Sequence, residues 1–411
     1  MRGRLTTPKR CRKYDGGSFF TRQPVVAEQA IALERKWLRD FFLTWIGRLS
    51  IFLSHHVTRP ILPLYLITFG ASSTVIGAVM AVFTVSTTVM RIPVGMLIDR
   101  VGRKPFLLGG IFLFALGNCG YLWAPSILLM LPFRVLHGVG WSGCTTAIAT
   151  LSADIVPQKR RGELMGYAGM ASSLAGALGP VIGFALFQRL DYAGVFLGAG
   201  ALLAMSFLVG LPVPERKRAE SDPAVAAGWL DTIVVKETLW TATAVAFLSF
   251  GHGGILTFLP IHALKIGMTN PGIWFAVYAG FVLASRPIAG PISDRVSRRA
   301  VIIPGLILNL AGICLLALSF APSWLMLAAA IAGLGTGAAQ PALMTVAVDR
   351  ASEQRRGQSL AQFQFFYDLG IGIGSLSLGA LLDLVNQEFS IMYAASAVVA
   401  LLGLWIYWRR D

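Results

Sequence analysis

Two ionisable side chains stand deep inside apolar stretches of this chain, where burying a charge is costly. Arg134 lies about seven residues into one stretch, and Asp368 lies about ten residues into another. A carboxylate removed from water binds a proton more readily, which suits a group that takes up and releases protons. Asp368 is also suited to pair with a cationic substrate or with a structural arginine. For Arg134, the alternatives are a functional role and a structural polar clamp. Gln364, one helical turn before Asp368, and Gln340 are candidate cavity residues.

Histidines and an arginine cluster in an early apolar stretch. His55 and Arg59 share a helix face by their spacing of four residues, with His56 beside them. His252 lies at a similar depth in a later stretch. Imidazole changes charge near neutral pH, so these side chains suit a proton relay or contact with an anionic or metal-chelating substrate. The alternative is that each histidine is a hydrogen-bonded packing residue.

The elements that hold these residues are predicted to be membrane-spanning helices. The chain has 411 residues, of which 55% are hydrophobic and only 13% are charged. Apolar runs long enough to cross a bilayer recur along it, and their continuity excludes a barrel of alternating strands. We predict an all-α membrane protein with twelve spans near residues 41–67, 73–97, 105–123, 127–152, 163–187, 194–212, 238–264, 271–293, 300–320, 324–349, 358–383 and 388–408.

The net charge of +15 is concentrated in alternate loops. Lys and Arg cluster before residue 40 and near residues 100–104, 159–161, 216–218, 295–299, 350–356 and 409–410, whereas the other loops hold only Arg189 and Lys265. This asymmetry follows the positive-inside rule, so we expect both termini in the cytoplasm of a bacterial cell and the spans in its inner membrane. Because the charge follows topology, it does not indicate nucleic-acid binding.

A pattern of charges and glycines occurs twice, 195 residues apart. The first copy is Arg91, Gly95, Asp99, Arg100, Arg103, Gly138, Gly140, Asp154, Arg160, Arg161 and Gly162, and the second is Arg286, Gly290, Asp294, Arg295, Arg298, Gly333, Gly335, Asp349, Arg355, Arg356 and Gly357. Two parallel repeats of six spans explain this duplication. We therefore divide the chain into a basic N-terminal segment (1–40), a six-helix bundle (41–212), a cytoplasmic linker (213–237) and a second six-helix bundle (238–408). For residues 26–37, an amphipathic helix on the membrane surface and a disordered leader remain alternatives.

Four motifs in their correct order resemble those of the major facilitator superfamily. Residues 95–105 (GMLIDRVGRKP) closely resemble its loop between helices 2 and 3, and residues 290–299 resemble the weaker second copy. Residues 131–140 are similar to the helix-4 motif around an intramembrane arginine, and residues 166–183 to the helix-5 motif of antiporters. In the helix-5 motif we single out Gly176, Gly179, Pro180 and Gly183. The resemblance covers residues 41–408 and implies, for Arg134, a role in proton coupling or an anion site.

The resemblance also implies a gate at the cytoplasmic face. By this resemblance, Asp99 would face the positive N-terminal end of helix 11. Asp294 would face helix 5 near Gly162 in the same way. We expect such contacts to form only when the two halves close on that side, and so to favour an outward-open state; plain topogenic charge is the alternative. The residues assigned to these gating loops are Gly95, Asp99, Arg100, Gly102, Arg103, Gly290, Asp294 and Arg295.

Two departures weaken a multidrug assignment. No acid lies between Phe41 and Leu66, and Ala175 and Phe184 replace glycines that are usual in the helix-5 motif. The positive face of the first span instead suggests an anionic or zwitterionic substrate.

The sequence therefore predicts a monomeric, proton-coupled exporter of a small organic solute, amphiphilic or anionic, that works by alternating access. Arg134, Asp368, His55 and His56 are assigned to proton coupling, and Arg59, His252, Gln340 and Gln364 to the substrate cavity. A proton symporter or facilitator that imports a metabolite is the alternative, and a membrane-embedded sensor or enzyme is a third reading that no nucleophile supports. Four scattered cysteines and the absence of a nucleotide loop predict no metal and no cofactor.

Overall fold

The computed structural model describes residues 22–157, 160–215, 235–352 and 355–410. These residues form helices joined by short turns, with no β-strand among them. The helices are α1 (Arg22–Thr58), α2 (Leu62–Thr68), α3 (Ser73–Val101), α4 (Arg103–Gly120), α5 (Ile127–Ile155), α6 (Arg161–Gly210), α7 (Leu239–Lys265), α8 (Gly272–Arg295), α9 (Arg299–Ala317), α10 (Pro322–Asp349), α11 (Arg356–Leu384) and α12 (Phe389–Arg410).

Local chemistry explains several helix ends. The side chains of Ser72 and Ser126 accept hydrogen bonds from the exposed N–H groups at the starts of α3 and α5. Gly102 separates α3 from α4 at φ +115°, a backbone conformation that only glycine adopts readily. The carboxylate of Glu215 then accepts hydrogen bonds from the first two backbone N–H groups of α4, at 2.9 and 2.8 Å. These caps fix where α3, α4 and α5 begin.

Ten helical segments in the described residues are long and apolar enough to cross a membrane. One of them, in α6, has 47 residues, and at about 1.5 Å per residue it is roughly twice as long as a bilayer core is thick. Asp191, at φ 55°, kinks α6 near its middle. If α6 crosses twice and α1 with α2 crosses once, the total is consistent with twelve spans.

Three predicted boundaries differ from the structure. The predicted first span is broken between α1 and α2, around Pro60, whereas α1 extends back to Arg22 without a break at residue 40. The predicted loop between spans 5 and 6 is a kink inside α6. Most of the predicted linker, residues 216–234, and the N-terminal segment up to residue 21 lie outside the described residues. The same holds for the side chains of residues 22–36, including those of the proposed amphipathic helix.

The helices form two halves, α1–α6 and α7–α12, which meet chiefly where α3 packs on α11 and α6 packs on α8. We call the end of the bundle with residues 102, 157, 160, 296–298, 350–352 and 355 the basic face. The end with residues 69–72, 124–126, 266–271 and 385–388 is the opposite face. A buried apolar cluster near the opposite face includes Leu66 and Ile76 from the first half and Phe258, Trp274 and Leu378 from the second.

The halves are closed toward the opposite face. The carboxylate of Asp383 accepts hydrogen bonds from the backbone N–H groups of Ser73 and Thr74, at 2.9 and 2.8 Å, and from the Thr74 hydroxyl at 2.6 Å. In the other junction, the amide of Gln188 donates to the carbonyl of Thr269 at 2.7 Å. The motif glycines Gly95 and Gly290, toward the basic face, have open space where a side chain would project. The protein is thus in a state that is open toward the basic face.

Candidate functional site

A cavity of about 420 Å³ lies between the two halves. Side chains from both halves contribute to its wall, which combines aromatic rings with a small number of polar groups. The lining residues are Phe52, His56, Arg59, Pro60, Ser172, Ser173, Gly176, Pro180, Leu256, Phe275, Tyr278, Ala279, Val282, Leu283, Arg286 and Gln340. An apolar pocket with a few polar groups is typical of small-molecule sites.

Two arginines, one from each half, line this cavity. Arg59 follows the last residue of α1, and Arg286 comes from α8. Among the described residues, neither guanidinium has a hydrogen bond or ion-pair partner. A third arginine, Arg48, donates a hydrogen bond to the Ser172 hydroxyl at 3.0 Å and so lies just behind the wall. The cavity is therefore positively charged.

Of the residues predicted for proton coupling or the substrate cavity, His56, Arg59 and Gln340 line this cavity, and so do Gly176 and Pro180 of the helix-5 motif. His252 lies one layer behind it, where its Nε2 is 2.8 Å from the Tyr278 hydroxyl. Four further residues line the cavity and were not predicted to do so: Ser173, Phe275, Tyr278 and Arg286. Arg286 was visible as part of the repeat, but aromatic residues in an apolar span carry no sequence signal for a cavity.

Asp368 forms an ion pair with Arg91 that joins the halves at mid-depth. The guanidinium of Arg91, on α3, is 3.5 Å from one carboxylate oxygen of Asp368, on α11. Gln364 donates a hydrogen bond at 3.2 Å to the other oxygen, so it lies beside the acid and is not among the cavity residues. The Asp368 side chain is 16% exposed and that of Arg91 is 37% exposed. Arg59 is within electrostatic range of Asp368, so two cations lie near this acid.

Arg134 is enclosed in the first half. It is 3% exposed and donates to the carbonyl of Val79 at 3.1 Å and to the hydroxyl of Tyr121 at 3.3 Å. Its guanidinium also lies 4.7 Å from the ring centre of Phe83. These contacts join α5 to α3, and no carboxylate pairs with Arg134 among the described residues. The geometry provides a clamp, and Arg134 is not among the residues that line the cavity.

The two adjacent histidines occupy different environments. His55 is buried in the first half, stacked 4.2 Å from the ring of Trp141 and 5.2 Å from that of Phe83. Its ring centre is 6.2 Å from that of His137, and Nδ1 of His137 is 2.7 Å from the Tyr121 hydroxyl. Successive helix residues point about 100° apart, which explains why His56 instead reaches the cavity.

The helix-5 motif sets the spacing of α6 against neighbouring helices. A side chain at Gly179 would overlap His56, and one at Gly183 would overlap the carbonyl of Val57, so both glycines allow α1 and α6 to approach closely. At Gly176 the nearest atom, in the ring of His56, is 3.7 Å away. Pro180 packs against Gly272 of the other half. The motif therefore allows close packing within the first half and contributes a contact to the junction with the second half.

The gating-loop residues mostly contact their own half. Arg103 pairs with Asp154 at 2.7 Å, and its repeat mate Arg298 pairs with Asp349 at 3.5 Å. Arg298 also pairs with Asp294, which is exposed. The side chains at the start of α6, residues 161–163, lie outside the described residues, so the predicted contact of Asp294 with this helix stays a prediction. Arg100, Gly290 and Arg295 are exposed. The side chain of Asp99 lies outside the described residues, so its predicted contact with α11 stays a prediction.

The internal repeat extends to the contacts between the halves. Asp383 contacts Thr74, and the residues 195 positions away from each, Gln188 and Thr269, contact each other in the symmetry-related junction. In the same way, Gly77 packs against the carbonyl of Ser375, and Gly272 packs against that of Pro180. The offset of 195 residues thus relates these packed pairs too, and none of the pairs was predicted from the sequence.

Comparison with known proteins agrees with this architecture. A family model described as Major Facilitator Superfamily matches residues 44–273 and 262–411. An uncharacterised MFS-type transporter of Methanocaldococcus jannaschii is 24% identical over 91% of this chain and 98% of its own length. The multidrug resistance protein MdtG of Enterobacter lignolyticus is 25% identical over 89% of this chain and 90% of its own length. A bacterial homologue of the human lysosomal transporter Spinster, solved in an inward-facing and occupied conformation, has a TM-score of 0.76 at 19% identity, with 91% and 96% of the two chains covered.

Proposed function

The chain belongs to the Major Facilitator Superfamily, and on that premise we propose that it is a proton-coupled exporter of a small amphiphilic organic solute. The observation that carries the proposal is the Arg91–Asp368 ion pair, which joins the two halves at mid-depth. Membership supports a membrane transporter, and the similarity to a multidrug resistance protein supports export. The coupling to protons, the direction of transport and the class of substrate are parts of the proposal.

The basic face is taken as cytoplasmic, because positive loops are retained on that side of bacterial membranes. With that orientation both termini lie in the cytoplasm of a bacterial cell, and the structure corresponds to an inward-open state. The solute then enters the cavity from the cytoplasm and leaves after the halves have closed on the basic face. The protein acts as a monomer, because one chain supplies both halves of the cavity.

Coupling follows from the position of Asp368 between the halves. When Asp368 takes up a proton, it loses its charge, and its attraction to Arg91 weakens. Protonation therefore changes the energy of the contact between the halves. Arg134 and His55 hold α3 and α5 in place around this centre, and Arg59 and His56 link it to the cavity wall. We assign these residues to proton coupling and to the cavity as the sequence analysis did.

Proton release in inverted membrane vesicles tests this function without knowledge of the substrate. The vesicles are energised by respiration, the internal acid is followed with a pH-sensitive acridine dye, and a panel of amphiphilic anions, zwitterions and cations is added one compound at a time. Exchange of a compound for protons makes the lumen less acidic, which restores the fluorescence of the dye. We expect at least one compound to do so with the wild type and not with Asp368→Asn.

Glu237→Gln is the matched control, because Glu237 is an exposed acid just before α7, outside the cavity and the gating loops. Exchange that persists unchanged in Asp368→Asn would remove this carboxylate from the coupling mechanism. Uptake of the same compound into right-side-out vesicles, together with protons, would instead support an importer.

A further inference from the structure

The internal repeat leaves one arginine in the cavity without its carboxylate. Arg91 and Arg286 are repeat mates, 195 residues apart on α3 and α8. Arg91 has Asp368 as its partner in the junction between α3 and α11. The residue 195 positions before Asp368 is Ser173, on α6, so a serine stands where the symmetry-related junction would have an acid.

The structure supports this correspondence independently of the sequence. Two packed pairs in the first junction, Asp383 with Thr74 and Ser375 with Gly77, each have a counterpart in the second junction at the same offset. Ser173 and Arg286 both line the cavity, as the correspondence requires. Within the described residues, the Ser173 hydroxyl donates only to the carbonyl of Gly169, at 3.3 Å. The position equivalent to the Asp368 carboxylate is therefore beside open cavity.

The surrounding charges favour an anion at that position. The arginines in or behind the cavity wall are Arg48, Arg59 and Arg286, and Arg91 lies nearby; the described residues place one acid at this depth, Asp368, which already pairs with Arg91. Four positive charges against one negative charge leave an excess of three. In a site of low dielectric constant such an excess strongly favours an anion. Guanidinium groups also suit carboxylates, because they donate two parallel hydrogen bonds.

From these observations, and resting on the proposed function, we propose that the transported solute is an amphiphilic organic anion whose carboxylate, or a similar acidic group, binds Arg286 and Arg59 in the space beside Ser173. The ligand acid takes the place that Asp368 occupies in the other junction. The apolar part of the solute packs against Phe52, Phe275 and Tyr278. The ligand thereby supplies to Arg286 the negative charge that Asp368 supplies to Arg91.

Two fluorescent probes that differ only in charge test the anion site. Dansylglycine carries a carboxylate and dansylglycinamide a neutral amide, and the emission of both rises in an apolar site. Binding is measured on the full chain in lipid nanodiscs, after subtraction of the signal from empty nanodiscs. We expect dansylglycine to bind at least tenfold more tightly than dansylglycinamide, and 1-naphthylacetate to displace it at least tenfold better than 1-naphthylacetamide.

Variants identify the residues that recognise the charge. Arg286→Gln and Arg59→Gln are expected to weaken dansylglycine binding at least tenfold. Arg189→Gln, which changes an exposed arginine near the opposite face, is the matched control and is expected to bind as the wild type does. Ser173→Asp is the sharpest variant, because its carboxylate would pair with Arg286 and displace the ligand. Ser173→Asn has nearly the same size without the charge and is expected to retain binding within threefold.

The proposal is overturned if both probes bind the wild type alike, if dansylglycine does not bind, or if Ser173→Asn lowers binding as much as Ser173→Asp does. Monodisperse elution of each variant on size exclusion establishes that it is folded. This binding experiment needs no gradient, so its failure is distinct from failure of the exporter. If cations release protons in the vesicle assay while dansylglycine does not bind, the anion site is wrong and proton-coupled export stands. If dansylglycine binds as expected and no compound in the panel releases protons, the anion site stands and the exporter is wrong.

Discussion

Asp368 and Arg91 together form the most specific link between sequence and mechanism at the scale of single residues. The acid could be identified from the sequence, because a carboxylate in an apolar stretch is costly and stands out. Its partner could not, since Arg91 is separated from it by 277 positions and pairing depends on how α3 meets α11. Arg134 was identified for the same reason as Asp368, but its surroundings of a carbonyl, a hydroxyl and an aromatic ring carry no sequence signal.

The pair should behave as a coupled unit in a double-mutant cycle. Asp368→Asn leaves Arg91 without its anion, so we expect it to lower the free energy of unfolding by about 1–2 kcal/mol, less than for a fully buried pair because Arg91 is 37% exposed. Arg91→Gln should cost less in the Asp368→Asn background, with a coupling energy of about 1 kcal/mol. Thermal unfolding in detergent at neutral pH measures each term.

The coupling energy should also shrink in acid. Protonation removes the charge of Asp368, and the attraction that the cycle measures disappears with it. The same cycle repeated over a range of falling pH therefore tests the assignment. Additive effects of the two substitutions at neutral pH would mean that the 3.5 Å contact contributes nothing to stability.

At the scale of helices, the length of each apolar stretch allowed most spans to be predicted, whereas the breaks between them were harder. A loop was predicted between residues 187 and 194, because Gln188, Arg189 and Asp191 interrupt the apolar stretch, whereas the structure has only a kink at Asp191 inside α6. The split between α1 and α2 comes at Pro60, where proline cannot donate the backbone hydrogen bond that a continuous helix requires. The role of the helix-5 glycines required the structure, because a glycine alone does not reveal which helix approaches it.

Two glycines of the helix-5 motif should respond differently to the same substitution. A methyl group at Gly183 would overlap the carbonyl of Val57, so we expect Gly183→Ala to lower the free energy of unfolding by about 1–3 kcal/mol. Gly176→Ala places its methyl group 3.7 Å from His56, an ordinary contact. It should be neutral or stabilising by up to about 1 kcal/mol, because alanine favours a helix.

Thermal unfolding of the two variants side by side gives the comparison. Because the substitution and the helix are the same, differences in helix propensity cancel, and the remaining difference reports the approach of α1 to α6. Equal stability of the two variants would show that Gly183 is not needed for close packing.

At the scale of the whole molecule, the repeated sequence predicted two similar halves, but it did not predict which end of the molecule would be closed. The basic loops predicted Asp99 and Asp294 as gating acids at the basic face. The structure has an acid that joins the two halves at the opposite face. Asp383 accepts hydrogen bonds from the first N–H groups of α3, where the helix dipole favours a negative charge. An acid from one half against a helix start of the other half is thus a design that suits both gates.

Removal of this carboxylate should shift the balance between the two open states. The three hydrogen bonds that the Asp383 carboxylate accepts from Ser73 and Thr74 join the halves only while the opposite face is closed. Charge-assisted bonds of this kind contribute about 1.5–3 kcal/mol, so Asp383→Ala should change the population ratio by roughly 10-fold or more toward closure of the basic face. Spin labels on cysteines at Val101 and Arg356, at the ends of α3 and α11 on the basic face, report that closure in a background without native cysteines. Double electron–electron resonance should give a shorter distance between the labels in Asp383→Ala.

Asp349→Ala is the control, because it removes an exposed acid that is paired within its own half, and it should leave the distance unchanged. If the distance is also unchanged in Asp383→Ala, Asp383 does not hold the opposite face closed.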